Sequence, residues 1–269
     1  MANQSRVAII TGSSRGLGKR AALTLANDGF RVVVNYKEHE QEALHVVDMI
    51  RSSGGEARAI QADVTDRGQI HRLVLATLDA WERIDVLVNN AGPFIRERKK
   101  FADFTRCEID LLLDGNLRSV LDMVHEVLPH MRRQQWGRII QFGFGRASEA
   151  PAWPDRSIYA AAKVALVSFT KSLAVEEAPN GITVNMVCPG DIVGANKEKG
   201  ISEVNHLYDA ETPRGRPGSG EDVVRVIRFL CEEKADFFKC DRRPRCNSPC
   251  FQSAIMLRFH SPHLPLIHC

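Results

Sequence analysis

Short apolar runs alternate along this chain with longer stretches whose apolar positions recur every three or four residues, from about residue 6 to residue 187. The run Arg6-Val-Ala-Ile-Ile10 ends in a glycine turn, and residues 18–27 then place apolar side chains at 21, 22 and 25 before Gly29. The first is a strand signal, the second an amphipathic helix closed by glycine. The unit repeats, with strands predicted over 31–35, 57–61 and 84–88 and helices over 38–52 and 67–82. A long helical stretch then covers 104–134, followed by a strand at 138–142, a helix at 157–177, a strand at 182–187 and a last helix at 221–233. Strands separated by helices of this length predict an α/β fold built on a doubly wound parallel sheet.

Between the last strand and the last helix, residues 191–220 are polar and read as a mobile lid over a site. From Lys239 the periodicity stops, and the last 31 residues hold four of the seven cysteines and four of the twelve prolines. Two segments follow: one domain over 1–238, of a length that supports a full core, and an atypical tail over 239–269.

Charge and composition narrow the class. The formal charge of +3 is carried by the tail, where Lys239, Arg242, Arg243, Arg245 and Arg258 face only Asp241, so the body has no nucleic-acid signature. No apolar leader precedes the first strand and no uninterrupted run of 18 apolar residues occurs, which predicts a cytoplasmic protein without a membrane partner. Cys107, Cys188 and Cys231 are scattered as single small hydrophobes, as a reducing compartment favours. No metal site is predicted, since His125 and His130 lack ligand spacing and Cys240, Cys246 and Cys250 lack the short paired spacing of a zinc site.

Three motifs carry chemistry by their order. Thr11-Gly12-Ser13-Ser14-Arg15-Gly16-Leu17-Gly18 lies between a strand and a helix, where glycines let the backbone approach a pyrophosphate and the helix N-terminus meets its charge. Asn89-Asn90-Ala91-Gly92 ends the fourth strand. Tyr159 and Lys163 are one helical turn apart on one face, where an ammonium is expected to lower the phenol pKa and make Tyr159 a general acid or base. At the end of the second strand, Asn35-Tyr36-Lys37 offers no acid for a ribose 2′-hydroxyl, and with Arg15 it favours a 2′-phosphate, hence NADP(H) over NAD(H). The alternative leaves Arg15 and Lys37 as solvated charges, with the Asn35 carbonyl accepting from a free hydroxyl.

With these motifs the chain, over about residues 5–238, resembles the short-chain dehydrogenases/reductases, and among them it is most similar to 3-oxoacyl-[acyl-carrier-protein] reductases. The resemblance implies a Rossmann fold and a cofactor loop of Gly12, Ser14, Arg15, Gly16, Leu17 and Gly18. It places Asp63 and Val64 at the adenine, Asn90, Ala91 and Gly92 along the cofactor, and Pro189, Gly190 and Ile192 at the nicotinamide carboxamide. Tyr159 is then the proton donor or acceptor, Lys163 binds the nicotinamide ribose, and Asn116 holds a relay water. The substrate it implies is a carbonyl, a 3-oxoacyl thioester or related ketone, with acyl-carrier protein as its carrier in fatty acid biosynthesis. It also implies a homodimer, with a tetramer as the alternative.

Two departures stand out. Phe144 occupies the family's catalytic serine position in Gly137-Arg-Ile-Ile-Gln-Phe-Gly-Phe144, with Ser148 as a candidate substitute donor and Ser157 a poorer one. The alternative function is therefore a catalytically impaired dinucleotide-binding sensor or interaction protein. In the lid, Gly194 replaces a threonine whose hydroxyl would meet the pyrophosphate. The second departure is the tail, where the family's final strand is missing after residue 238; a shift of reading frame at 238 or 239 is favoured over a lineage-specific tail. The basic run Arg96-Glu-Arg-Lys-Lys100 reads as a solvated loop face, with an acidic carrier protein as the alternative partner.

Overall fold

The computed structural model describes residues 5–236. The tail and the position of the family's final strand lie outside the described residues.

Six parallel strands form one sheet: β1 (Val7–Ile10), β2 (Arg31–Tyr36), β3 (Ala57–Gln61), β4 (Val86–Asn89), β5 (Gly137–Phe142) and β6 (Ile182–Val187). Their order is β3-β2-β1-β4-β5-β6, so the chain winds outward from β1 in one direction and then from β4 in the other. β1 pairs with β2 at Val7↔Arg31 and with β4 at Ala8↔Val86. The carboxyl ends of β1 and β4 thus flank the point where the winding reverses, the place where such sheets leave a crevice.

The helices are α1 (Gly16–Asn27), α2 (Glu40–Ser52), α3 (Arg67–Trp81), α4 (Arg106–Leu113), α5 (Ser119–Gln134), α6 (Ser157–Glu177), α7 (Ile201–Val204) and α8 (Gly220–Leu230). Both faces of the sheet are buried, which is why its strands read as continuous apolar runs rather than alternating ones. One face packs Ala8, Ile10, Val32, Val34 and Val86 against α1, α2 and α8. The other packs Val7, Ile9, Val33, Leu87, Ile139 and Val184 against α3, α5 and α6.

The long helical stretch at 104–134 is divided. α4 begins with a capping box between Thr105 and Glu108, and a π-helical turn at Asp114–Arg118 joins it to α5. Helical apolar spacing resumes on both sides of the turn, so periodicity alone reads one continuous helix; π-turns are frequent at functional sites.

Although the sequence has no uninterrupted apolar run of 18, residues 157–180 are long and apolar enough to cross a membrane by length and composition. Half of that helix is buried inside the fold, where Leu166, Leu173 and Ala174 join the core. Its apolar character is that of a helix laid on a sheet.

Candidate active site

The glycine turn is held from three sides. Gly12 and Gly16 adopt φ of +60° and +63°, a region that favours glycine. A Cβ on Gly18 would lie 2.5 Å from both Asn90 Nδ2 and the Gly12 carbonyl oxygen, so only glycine lets α1 approach β4 this closely. Asn90 Nδ2 donates to the carbonyls of Thr11 at 2.9 Å and Gly12 at 3.0 Å, and the Thr11 hydroxyl accepts from the amides of Asn90 and Ala91, each at 3.0 Å. The Asn-Ala-Gly segment therefore braces the loop, a part the motif spacing alone did not specify. Ser14 is buried, Leu17 packs against the core, and Arg15 is exposed at the N-cap of α1 with no ion pair among the described residues.

At the end of β2, the residues expected to choose the cofactor divide their roles. Asn35 is buried; its Oδ1 accepts from the Gly12 amide at 3.1 Å, and its Nδ2 donates to the carbonyls of Ile60 and Ala62. That side chain is a brace, already committed to the scaffold. The Tyr36 hydroxyl donates to Glu40 at 3.2 Å, and burial, aided by Glu40, raises its pKa. Lys37 Nζ lies 2.9 Å from Asp63, which also accepts from the Thr65 amide and hydroxyl. Burial resists ionisation of Asp63, but these partners together outweigh it and lower its pKa. Val64 packs toward the core beside α3.

The second cluster lies at the carboxyl ends of β4, β5 and β6. Lys163 Nζ is 5.7 Å from the centroid of the Tyr159 ring, one turn apart on α6 as the spacing predicts. The pKa expectation, however, is reversed. Burial, with smaller contributions from Cys188 and Asp191, pushes Tyr159 up to about 12, and burial pulls Lys163 down to about 8. Desolvation disfavours the charged form of each group. The Cys188 thiol is also buried, and desolvation raises it to about 12 against the pull of Lys163. Sequence reading took Cys188 as a small hydrophobe and had no signal for this proximity.

Asn116 sits in the π-helical turn, with Nδ2 donating to the carbonyls of Pro93 at 2.8 Å and Leu112 at 3.1 Å. Its Oδ1 is buried without a hydrogen-bond partner among the described residues. Gly92 makes room for it, since a Cβ there would lie 2.6 Å from that oxygen. Phe144 is buried against Trp153, with ring centroids 4.7 Å apart, and lies 6.4 Å from the Tyr159 ring. Ser148 is placed on a 3₁₀ turn at Ala147–Glu149 and makes no hydrogen bond to Tyr159. This loop also holds Arg146, Ala150 and Asp155 at φ of +66°, +46° and +62°. Three non-glycine residues in the left-handed region are strain of the kind that accumulates around sites.

Pro189, Gly190 and Ile192 follow β6 at the same edge, and Ile192 packs so closely on Gly218 that a Cβ there would meet its Cδ1 at 2.3 Å. Gly194 has φ of +53°, a conformation in which a threonine would be strained. The polar segment from 191 to 220 folds into a 3₁₀ turn at Gly194–Lys197 and the short helix α7. Glu221 and Lys199 fasten it to α8: Glu221 donates its amide to the Lys199 carbonyl, and its carboxylate accepts from Ile201 at 2.7 Å.

A reversing parallel sheet, a glycine turn braced by Asn90 and a Tyr159–Lys163 helix define the class. The sequence profile of the short chain dehydrogenases matches residues 6–203, and the chain belongs to that family of oxidoreductases. YtkK of Bacillus subtilis (strain 168), a provisionally named oxidoreductase, is 47% identical over 86% of this chain and 91% of its own length. The 3-oxoacyl-[acyl-carrier-protein] reductase of Synechocystis sp. is 38% identical over 86% of this chain and 91% of its own. Among solved structures, one from Bacillus thuringiensis, provisionally named a 3-oxoacyl-reductase, superposes with a TM-score of 0.82 at 42% identity, covering 87% of this chain and 94% of that one. The acetoin dehydrogenase YohF of Salmonella typhimurium gives 0.79 at 29%, covering 87% and 92%.

Proposed function

We propose that this chain is an NADP(H)-dependent reductase of a carbonyl compound, a 3-oxoacyl thioester or related ketone, with Tyr159 as the proton donor. The observation that carries this reading is the Tyr159–Lys163 pair on α6, which packs on the π-helical turn where the Oδ1 of Asn116 has no hydrogen-bond partner among the described residues. The residues present fit a nicotinamide dinucleotide. Gly12, Gly16 and Gly18 leave the turn between β1 and α1 without a Cβ at three positions, and Arg15, with no ion pair among the described residues, suits a 2′-phosphate. When bound, the reduced nicotinamide supplies hydride to the carbonyl carbon.

The rest falls to this chain. With its pKa near 12, Tyr159 is protonated at neutral pH and suited to donate to the oxygen as the carbonyl becomes an alcohol. Lys163 is charged below about pH 8 and stabilises the phenolate as it forms. The Asn116 oxygen, sealed from bulk solvent, is the acceptor that a relay water would satisfy in returning a proton to Lys163. Ser148 serves as a second donor only if its turn rearranges.

An acyl-carrier protein as substrate carrier, a place in fatty acid biosynthesis, a cytoplasmic location and a homodimer through α5 and α6 belong to the same reading. Exposed Val175 on α6 offers that interface an apolar contact.

A second reading, a dinucleotide-binding sensor with impaired catalysis, is favoured by Phe144, a hydrocarbon ring where a serine hydroxyl would stabilise the substrate oxygen. NADPH oxidation with an acetoacetyl thioester, measured beside Tyr159→Phe, separates the two. Turnover abolished by the variant supports the reductase; NADPH binding without turnover supports the sensor. Phe144→Ser is expected to raise turnover by about 10²-fold, the scale of one such donor.

A further inference from the structure

We infer that Phe94, Phe144 and Trp153 form a substrate-selecting aromatic wall around Tyr159, and that the preferred substrate carries a planar, conjugated apolar group next to its carbonyl. This rests on the reductase reading and names the substrate class within it. Three rings surround the ring of Tyr159: Phe94 edge-on at 5.0 Å, Trp153 edge-on at 6.0 Å and Phe144 tilted at 6.4 Å. Edge-to-face and offset contacts at these separations are attractive beyond the area they bury, and a further flat π-system gains the same contacts. A flexible alkyl thioester gains only burial.

The wall is held in place before any ligand arrives. The Arg156 guanidinium lies 5.0 Å over the Phe94 ring and is gripped by the carbonyls of Arg96 and Glu97. The Lys99 amide donates to the Asp155 carbonyl at 3.3 Å, and Lys99 Nζ pairs with Glu108 at 2.6 Å. Two loops, one after β4 and one before α6, are therefore tied together with an aromatic ring on each. Phe94 is still 47% exposed, an apolar face presented at the mouth of the site. Rigidity matters because an ordered wall pays little entropy when it closes on a ligand.

The chemistry points the same way. The rings beside Tyr159 offer carbon rather than hydroxyl groups, so an electron-withdrawing substituent on the substrate must help stabilise the charge that grows on the reacting oxygen. A second carbonyl beside the reacting one withdraws electrons in this way, and an aryl group gives the wall its flat partner. The carbonyl carbon gains a hydride from reduced nicotinamide, its oxygen gains the Tyr159 proton, the dinucleotide is oxidised, and the vicinal diketone becomes a hydroxyketone.

The test compares kcat/KM with NADPH for 1-phenyl-1,2-propanedione, 2,3-butanedione and an acetoacetyl thioester. The expected result is a preference of about tenfold or more for the aryl diketone over both, the scale of one or two aromatic contacts. Phe94→Leu, at a half-exposed position that does not threaten folding, should move the aryl-to-alkyl ratio toward one through KM; Trp153→Leu should do the same. Turnover of the thioester or butanedione at or above the aryl rate, or a ratio unchanged in both variants, overturns the wall while leaving the reductase intact. Turnover of none of the three overturns both.

Discussion

The amide of Gly16, at the first turn of α1, donates to Glu198 Oε1 at 2.7 Å, and Lys19 Nζ holds the other carboxylate oxygen at 2.8 Å. An acid from the lid segment thus sits at the helix end where the glycine turn is shaped for a phosphate. Burial opposes its ionisation, but Lys19 and the Gly16 amide outweigh that and hold the Glu198 carboxyl below its ordinary pKa. It is charged at neutral pH and competes for the positive end of α1.

Glu198→Gln should therefore tighten dinucleotide binding. Removing one charge near a helix N-terminus is worth up to about 1 kcal/mol, so Kd should fall about three- to fivefold in a fluorescence titration with NADPH. Weaker binding would mean that Glu198 instead anchors the lid in the form that grips the cofactor.

Cofactor choice should rest on Arg15 more than on Lys37, because Asp63 already neutralises Lys37 whereas Arg15 is unpaired among the described residues. Arg15→Ala should raise the KM for NADPH about tenfold, the worth of one charged hydrogen bond, with little change for NADH. Equal losses on both cofactors would show that Arg15 serves the loop and not the 2′-phosphate.

Lys163 predicts the pH profile. Its burial-depressed pKa of about 8 lies below that of Tyr159 at about 12, so the first group lost as pH rises is the ammonium. Below about pH 8 Lys163 is charged and supports proton donation; above it the support is withdrawn. Reductive kcat/KM should be level below that pH and fall tenfold per unit above it. In Lys163→Arg, whose guanidinium keeps its charge, any residual activity should lack this limb.

Gly18→Ala tests the brace. Its Cβ would stand 2.5 Å from Asn90 Nδ2 and from the Gly12 oxygen, and backbone cannot yield as a flexible side chain can. A destabilisation of about 1–3 kcal/mol is expected from such overpacking, read as a lower melting temperature together with weaker NADPH binding. An unchanged melt would mean that α1 shifts freely relative to β4.

Much of the fold is written in local pattern. The strands at 31–35 and 182–187 and the helix at 157–177 are legible because apolar runs and helical periods are short-range consequences of burial on one or two faces. The π-helical turn at Asp114–Arg118 was not, since the helical spacing resumes on both sides of it. Tyr159 and Lys163 were legible as a pair because one helical turn fixes their spacing. Phe94, Trp153 and Glu198 were not, because nothing local marks a ring or an acid that matters only through a partner far along the chain.

The sequence by itself determined the alternation of strands and helices, the positions that only glycine can fill, and the tyrosine and lysine that share a helix face. Tertiary structure alone decided that Asn35 braces the glycine turn, that burial drives Tyr159 and Lys163 toward their neutral forms, and that an acid from the lid reaches the start of α1. Spacing along a helix is covalent geometry, whereas desolvation and charge pairing depend on what the rest of the chain brings within a few ångströms.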